Sequence, residues 1–374
     1  MSGLPENNSC NPPLKMGIHT VYQHSVILHI VCMNLRNILI ILLLIAWQEK
    51  KPVEKAVIGF YNLENLYDTI DNPAVNDDEF TPLGAKHYSG SIYQNKLFKL
   101  AYILNQLGTA DHPRGAAIVG VAELENDTVL NHLVNHFILR NKQFHFIHFD
   151  SRDARGIDVG LLYQPDFFHP YSAQSLQVTL PGSSKDAYHT RDILYVKGQL
   201  SGETIHVYVN HWPSRRGGEE RSAPARAAAA NTCRKHMDAI RLEDPNARII
   251  VMGDLNDNPS DPSILEVLGA TGEKKMVSRE LLYNPWISFY QKGFGTLANR
   301  DVWGLFDQIL LSGSWLEKNF LKSNWQYVKA VIFQKPFMIE KTGKYKGYPM
   351  RTWDGNQYRG GFSDHFPTYI VLKK

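Results

Sequence analysis

The stretch at residues 248–261, RIIVMGDLNDNPSD, constrains this chain more than any other. Residues 248–252 are short, mostly apolar and β-branched, and turn residues bound them, so they predict a buried strand. The strand runs into Gly253 and then displays Asp254 and Asn256. If the backbone stays extended there, the period of two sends both polar side chains to one side. Asn258, Pro259 and Ser260 break the strand, and Asp261-Pro262 predicts the first turn of a helix. A carboxylate and an amide presented together at a strand end are suited to chemistry, but the same residues make ordinary turns. Other strand ends decide between the two readings, according to whether they supply partners.

Several do. Residues 55–60 predict a strand entering Tyr61-Asn62-Leu63-Glu64-Asn65, with Asn62 and Glu64 on one face. A strand over 116–122 ends at Glu123, and one over 204–209 ends at Asn210-His211-Trp212-Pro213. Residues 306–312 carry Asp307, and a closing strand over 361–372 carries Asp364 and His365. Further strands are expected at 145–149, 158–163 and 191–196. Leu97, Leu100, Leu104 and Leu107 recur at helical spacing before Gly108, and Ser222 is the expected cap of an Ala-rich helix reaching about Ile240. No composition shift or long linker interrupts residues 56–374, which predicts one large domain. Many strands and few helices indicate a mixed α/β fold in which two packed sheets are covered by helices.

The chain has 374 residues, 43% of them hydrophobic, which is ample for such a core. Its net charge of +3 is too small to argue by itself for nucleic acid or membrane. Cys10, Cys32 and Cys233 provide neither a disulfide framework nor metal-binding spacing. Residues 1–55 read differently, as an N-terminal extension. A short basic segment beginning at Met33 precedes a wholly apolar run at 38–46, which is the pattern of a signal peptide. That run is too short to span a bilayer comfortably. The expectation is therefore a start at Met33 and export to the periplasm or beyond, with no membrane insertion of the mature chain. Membrane anchoring is the alternative.

The strand-end residues define a chemistry. Glu64, Glu123 and Asp364 supply hard oxygen donors. Carboxylates and amides without a Cys or multi-His set favour Mg²⁺, Mn²⁺ or Ca²⁺ over structural zinc. Such an ion would neutralise a phosphate and polarise its oxygens. His211 and His365 can donate protons to phosphate oxygens near neutral pH. Asp254 is the natural group to orient and deprotonate a water, with Asn256 holding its geometry. Asp307, inside an apolar strand, is costly to bury alone, and His365 is its expected partner. Each of these signals also has a plain structural reading as a turn or a solvated charge, and their joint occurrence is what gives them weight.

The motifs YNLEN, VAELEN, VNHWPS, GDLND, FDQILLS and SDHFP, in this order, resemble those of the endonuclease/exonuclease/phosphatase family over about residues 56–374. The resemblance implies a four-layer α/β sandwich, two mixed sheets face to face and flanked by helices. It implies Asn62, Glu64, Glu123 and Asp364 as the metal group, Asp254 as the water-activating residue and Asn256 as its phosphate-orienting neighbour. It gives His365, paired with Asp307, the phosphate-binding and charge-stabilising role, and His211 that of a second histidine. Ala122 departs from the pattern, because many members carry Gln before the metal-binding Glu.

The expected activity is hydrolysis of phosphate esters with a divalent ion, first of all as a nuclease. Asn210, Arg155, Arg191 and Arg215 are the expected substrate contacts, with Arg152, Arg216 and Arg221 nearby for backbone phosphates. Residues 341–353 interleave basic residues with Tyr345, Tyr348 and Trp353, which suits base stacking. The alternatives are a phosphatase or phospholipase C-type enzyme on sugar, inositol or lipid phosphates, and a non-catalytic binding protein on the same fold. No protein partner is indicated.

Overall fold

The computed structural model describes residues 54–182, 189–316 and 325–374. The expected signal peptide lies outside the described residues. From Glu54 onward the described chain forms one compact unit, built on two large mixed sheets.

The first sheet runs in the order β14-β17-β1-β2-β4-β3. It comprises β1 (Lys55–Leu66), β2 (Ile118–Leu124), β3 (His145–His148), β4 (Asp158–Tyr163), β14 (Gln326–Ile332) and β17 (Thr368–Lys373). The second runs β5-β6-β7-β8-β13-β10-β9. Its members are β5 (Phe168–Leu176), β6 (Ile193–Leu200), β7 (Glu203–His211), β8 (Ile249–Asp254), β9 (Ala270–Thr271), β10 (Leu282–Tyr283) and β13 (Asp307–Leu311). Two small hairpins, β11 (Leu297–Asn299) with β12 (Val302–Gly304) and β15 (Trp353–Asp354) with β16 (Gln357–Tyr358), lie outside both sheets.

Side-chain alternation sorts the residues into layers. Ile58 and Phe60 of β1, Val207 and Val209 of β7, Ile250 and Met252 of β8, and Ile309 and Leu311 of β13 pack in one cluster between the sheets. The opposite parity faces outward. Val57 and Tyr61 of β1 and Val119 and Val121 of β2 pack with Leu97, Leu100 and Leu104 of α1 (Gly90–Gln106) and with Val129, Leu130 and Leu133 of α2 (Asp127–Val134). Tyr208, Ile249 and Val251 pack with Ala229, Cys233 and Met237 of α3 (Glu219–Glu243). A short helix, α4 (Trp286–Gln291), adds Trp286 to the inter-sheet core. The result is the four-layer sandwich. Gly120 marks a point of close approach between the sheets, where a Cβ would collide with Met252. Among the described residues, no helix is long and apolar enough to cross a membrane.

Several element ends differ from expectation. β1 continues through the YNLEN motif to Leu66, because its bulge between Asn62 and Leu66 keeps it paired to β2. α3 begins three residues before Ser222, with Gly218 as its cap; the Ser222 hydroxyl bonds back to the carbonyls of Gly218 and Glu219 inside the first turn. The last strand begins only at Thr368, so Asp364 and His365 sit in the loop before it. Ser263–Gly269 forms a π-helical segment just beyond Asp261-Pro262.

Candidate active site

Each sheet contains a central parallel pair, β1/β2 in the first and β7/β8 in the second. The chain ends of all four strands meet at one edge of the sandwich. The inter-sheet stripe continues there in polar residues: Asn62 follows Phe60, His211 follows Val209 and Asp254 follows Met252. Asp307 begins the stripe on β13, directly opposite Asp254 in register. Packing that buries the apolar members therefore aims these polar members at one another.

The contacts bear this out. Asn62 Nδ2 donates to Asp254 Oδ2 at 3.0 Å across the two sheets. His211 Nε2 stands 3.7 Å from both Asp254 Oδ2 and Glu123 Oε1. His365 Nδ1 and Asp307 Oδ2 lie 2.8 Å apart, and His365 Nε2 faces Asp254 Oδ2 and Asp364 Oδ1, each at 3.9 Å. The Thr296 hydroxyl also donates to Asp307 Oδ2. Asp254, Asp307 and His365 form a buried group close enough to share an ion.

The carboxylates of the first sheet are presented differently. Glu64, Asn65, Glu123 and Asn256 account for four of the nine non-glycine residues with positive φ among the described residues. A backbone region that costs free energy is thus concentrated at the site, as is usual where geometry serves function. Register shifts in β1 between Asn62 and Leu66 and in β2 between Ala122 and Leu124 turn Glu64 and Glu123 out of the pleat. Asn65 N donates to Glu123 Oε2 at 3.0 Å. The Glu64 carboxylate accepts from Thr352 N at 2.7 Å and Trp353 N at 3.2 Å, and Lys96 Nζ of α1 approaches it at 3.9 Å. Glu64 thereby clamps residues 352–353 against β1.

Electrostatics follows from burial. Burial first, then the charge of Asp364, raises Glu64 to about 7. Burial, Asp307 and Glu123 raise Asp254 to about 6, against the opposing pull of His365. His365 is held well above the usual imidazole range because Asp307 and Asp254 outweigh the cost of burying its charge. His211 moves the other way, well below that range, because it is buried and faces Arg191, Arg155 and His365. The site therefore carries a neutral histidine and an imidazolium side by side. Glu64, Glu123, Asp254, Asp307 and Asp364 outnumber the cations among them, Lys96 and His365. This surplus of hard oxygen donors fits a divalent ion, and Glu123, Asp364 and Glu64 could hold it.

Some expected roles need correction. Asn62, expected as a metal donor, also links the two halves: its oxygen accepts Glu64 N at 2.8 Å, which leaves that oxygen a second lone pair, and its nitrogen serves Asp254. Asn256 does not project in parallel with Asp254. Its φ of 50° ends the extended run, its N–H donates to Asp254 Oδ1 at 3.0 Å, and its side chain donates to the Trp212 carbonyl. Gly253 precedes Asp254 because a Cβ there would collide with the Asn210 carbonyl.

Asn210, an expected substrate contact, has the wrong parity. It faces the α3 side, bonding Met252 O and Trp212 Nε1, and is fully buried. Arg191 is buried too, with Nη1 on Asp153 and Nη2 on the Trp212 carbonyl. Arg215 bonds the Asn256 carbonyl, Asp257 and Asp261 and pairs with Glu219. These three residues brace the site from behind. Arg155 also pairs with Asp153, at 3.7 Å, but its side chain is 42% exposed. Tyr348 and Trp353 are also unavailable for stacking. Tyr348 packs on Trp303 and bonds Asp301, and Trp353 sits among Phe80, Tyr88 and Tyr358. Sequence reasoning missed Lys96, Thr296 and Ser363. Ser363 bonds the Asn62 carbonyl and accepts His365 N. A lysine on the apolar face of an amphipathic helix was the one signal available beforehand.

Solved structures share this fold. A Bacteroides thetaiotaomicron endonuclease/exonuclease/phosphatase family protein superposes with a TM-score of 0.53 at 16% identity, covering 86% of this chain and 98% of that one. The mannosyl-6-phosphatase of the same bacterium gives 0.53 at 16%, covering 85% and 99%. D. rerio TDP2 complexed with single strand DNA product gives 0.51 at 15%, covering 86% and 100%. At such identities the likeness is one of fold. No curated protein matches the chain by sequence. The model of one family does, over residues 57–374, and the chain belongs to that family, the endonuclease/exonuclease/phosphatase family.

Proposed function

We propose that the chain is a divalent-metal-dependent phosphoesterase whose first substrate class is the phosphodiester of nucleic acid. The observation that carries the hydrolytic reading is the meeting of Asp254, His365 and Asp307 in the buried end of the inter-sheet stripe. Asp254, raised to about 6 by burial, is basic enough to take a proton from a water near neutral pH. Asn62 Nδ2 and Asn256 N hold its two oxygens in place. As the water oxygen bonds to phosphorus and the ester P–O bond breaks, charge grows on the phosphoryl oxygens. His365, held protonated by Asp307, donates to that charge. Neutral His211 offers a second donor on the same side, provided its proton is on Nε2. A divalent ion held by Glu123, Asp364 and Glu64 would neutralise the phosphate and polarise its oxygens.

Arg155 supports the nucleic-acid choice as a half-exposed cation at the site's rim, as does the fold shared with a protein seen with single-strand DNA product. A compact sugar phosphate is the second reading. It is favoured by the internal engagement of Arg191 and Arg215, the burial of Tyr348 and Trp353, and the fold shared with a mannosyl-6-phosphatase. A panel of plasmid DNA, RNA, sphingomyelin, inositol phosphates, sugar phosphates and a generic phosphodiester, with Mg²⁺, separates the two. Nucleic-acid cleavage at a rate exceeding phosphomonoester release is expected. Rapid phosphomonoester release without nucleic-acid cleavage would overturn the first substrate class, and inertness toward every ester would overturn the hydrolytic reading.

Export is part of the same proposal, supported by the basic start at Met33 and the apolar run after it. Mass spectrometry of the natively expressed chain tests it. A mature N-terminus just after the apolar run is expected, and a peptide from residues 1–32 would remove Met33 as the start.

A further inference from the structure

A second cluster of metal-ligating side chains lies at the outer edge of the first sheet, apart from the catalytic groups. His148 ends β3, Asp158 opens β4, Asp127 opens α2, and Asp150 follows in the loop between β3 and β4. The His148 side chain is 2% exposed and that of Asp158 is 5% exposed, whereas Asp127 and Asp150 reach solvent at 74% and 86%.

The imidazole is fixed at one end. His148 Nδ1 bonds Asp127 Oδ1 at 2.8 Å, and a carboxylate can only accept there, so Nδ1 carries a hydrogen. His148 Nε2 then points its other face at Asp158 Oδ2, 3.3 Å away, and at Asp150 Oδ1, 3.9 Å away. Neither carboxylate can donate to it. Three acceptor groups thus converge on one point that requires a cation, either a proton on Nε2 or a metal ion.

We propose that His148, Asp150 and Asp158 form a second divalent-cation site, for an ion of the zinc class, that pins the loop at residues 149–157. The spacing suits it. Two ligand atoms at a tetrahedral angle about an ion with bonds of about 2.05 Å lie about 3.3 Å apart, as His148 Nε2 and Asp158 Oδ2 do. The exposed Asp150 can swing inward to complete the set, and water can fill the open position. The nitrogen donor selects zinc, cobalt or manganese over magnesium. Asp127 on Nδ1 supplies the carboxylate–histidine–metal relay that orients ligating imidazoles.

The remaining contacts give such an ion a purpose. Ser151 N donates to Asp158 Oδ1, Asp153 binds Arg191, and Arg191 holds the Trp212 carbonyl that also receives Asn256. Asp158 pairs in register with Leu124, next to Glu123. An ion at His148 would therefore fix the loop that presents Arg155 to the rim of the active site.

The competing occupant is a proton. Burial opposes charge on His148, but the hydrogen bonds and charges of Asp158 and Asp127 prevail and raise its pKa. The two occupants are separable by titrating the full chain with Co²⁺ in a Glu123→Gln/Asp254→Asn/Asp364→Asn background, which removes donors both of the expected catalytic metal group and of the Asp254, Asp307 and His365 group. One Co²⁺ per chain with visible absorption bands is expected, and adding His148→Gln should abolish it. Asp150→Asn should weaken binding about tenfold, and Asp127→Asn about ten- to a hundredfold. Asp150 is exposed, so its variant decides the matter even if His148→Gln fails to fold. Co²⁺ binding that is unchanged by these substitutions, or absent up to about 1 mM, overturns the proposal and leaves the proton as the occupant.

Discussion

The two parallel strand pairs meet at the same edge but build their ends in opposite ways. β7 and β8 stay in unbroken register from His206 opposite Ile249 to His211 opposite Asp254. Asp307 continues the ladder opposite Asp254. Regular backbone places Asp254, His211 and Asp307 of the proposed reaction, and His365 joins them from the loop before β17. β1 and β2 lose their register just where Glu64 and Glu123 appear, and both residues adopt positive φ. Regular strands fix a side chain by alternation. Bulges spend backbone strain to aim a carboxylate where alternation would not send it. The first arrangement suits proton transfer, which needs close positioning; the second suits collecting oxygen donors for an ion.

The sharpest way to break this comparison is to remove one group from each side. Asp254→Ala or His365→Ala should each lower turnover at least about a hundredfold at saturating metal, with the fold intact by circular dichroism. Wild-type turnover in either variant would take that residue out of the reaction. Glu123→Gln, on the irregular side, should instead raise the Mg²⁺ concentration needed for half-maximal activity at least about tenfold. A chelator should abolish activity in the parent, with Mn²⁺ or Mg²⁺ restoring it; activity undiminished in chelator would sink the metal reading.

The arginines test the same contrast at smaller amplitude. Arg155→Ala should raise KM about tenfold while leaving kcat nearly unchanged, as loss of a uniform substrate contact does. Arg215→Ala should do the reverse, lowering kcat because Asn256 and Asp257 lose their brace. Equal effects on KM would erase the distinction between a rim contact and a support.

An effect on stability instead of catalysis lies along β7. His206, bonded to the Tyr195 hydroxyl, has its pKa pushed down to about 4 by burial and by Lys197. The unfolded chain takes up this proton near pH 6.5, so it binds more protons than the folded chain between 6.5 and 4. Stability from this residue is fully present above 6.5 and is lost as pH falls through that window, by at most about 3 kcal/mol. Denaturant titrations across pH 4–7 should show this slope, and His206→Gln should flatten it. An unchanged slope in the variant would assign the effect to other groups.

Much of the site was legible because the inter-sheet stripe is a sequence pattern. The alternation that buries Met252 and Val209 carries on to Asp254 and His211, and Asp307 inside an apolar strand called for a buried partner. The same rule, followed one residue further, would have excluded Asn210. What misled was extrapolating extended backbone past the last regular residue, as with Asn62/Glu64 and Asp254/Asn256. Arg191 and Arg215 were misread for another reason. Basic residues in loops look alike in sequence, and only the fold brings Asp153, Asp257 and Asp261 against them.

The sequence by itself determined the layered α/β class, the strand ends that carry polar groups, the family and the supply of hard oxygen donors, because periodicity and short motifs are local properties. The tertiary structure alone decided that Asn62 joins the two sheets at Asp254, that Lys96 and residues 352–353 secure Glu64, and that two histidines of one site hold opposite charge states. Those outcomes depend on contacts between residues up to 289 positions apart, such as Glu64 and Trp353. Burial and neighbouring charge set such properties, and both exist only once the chain has packed.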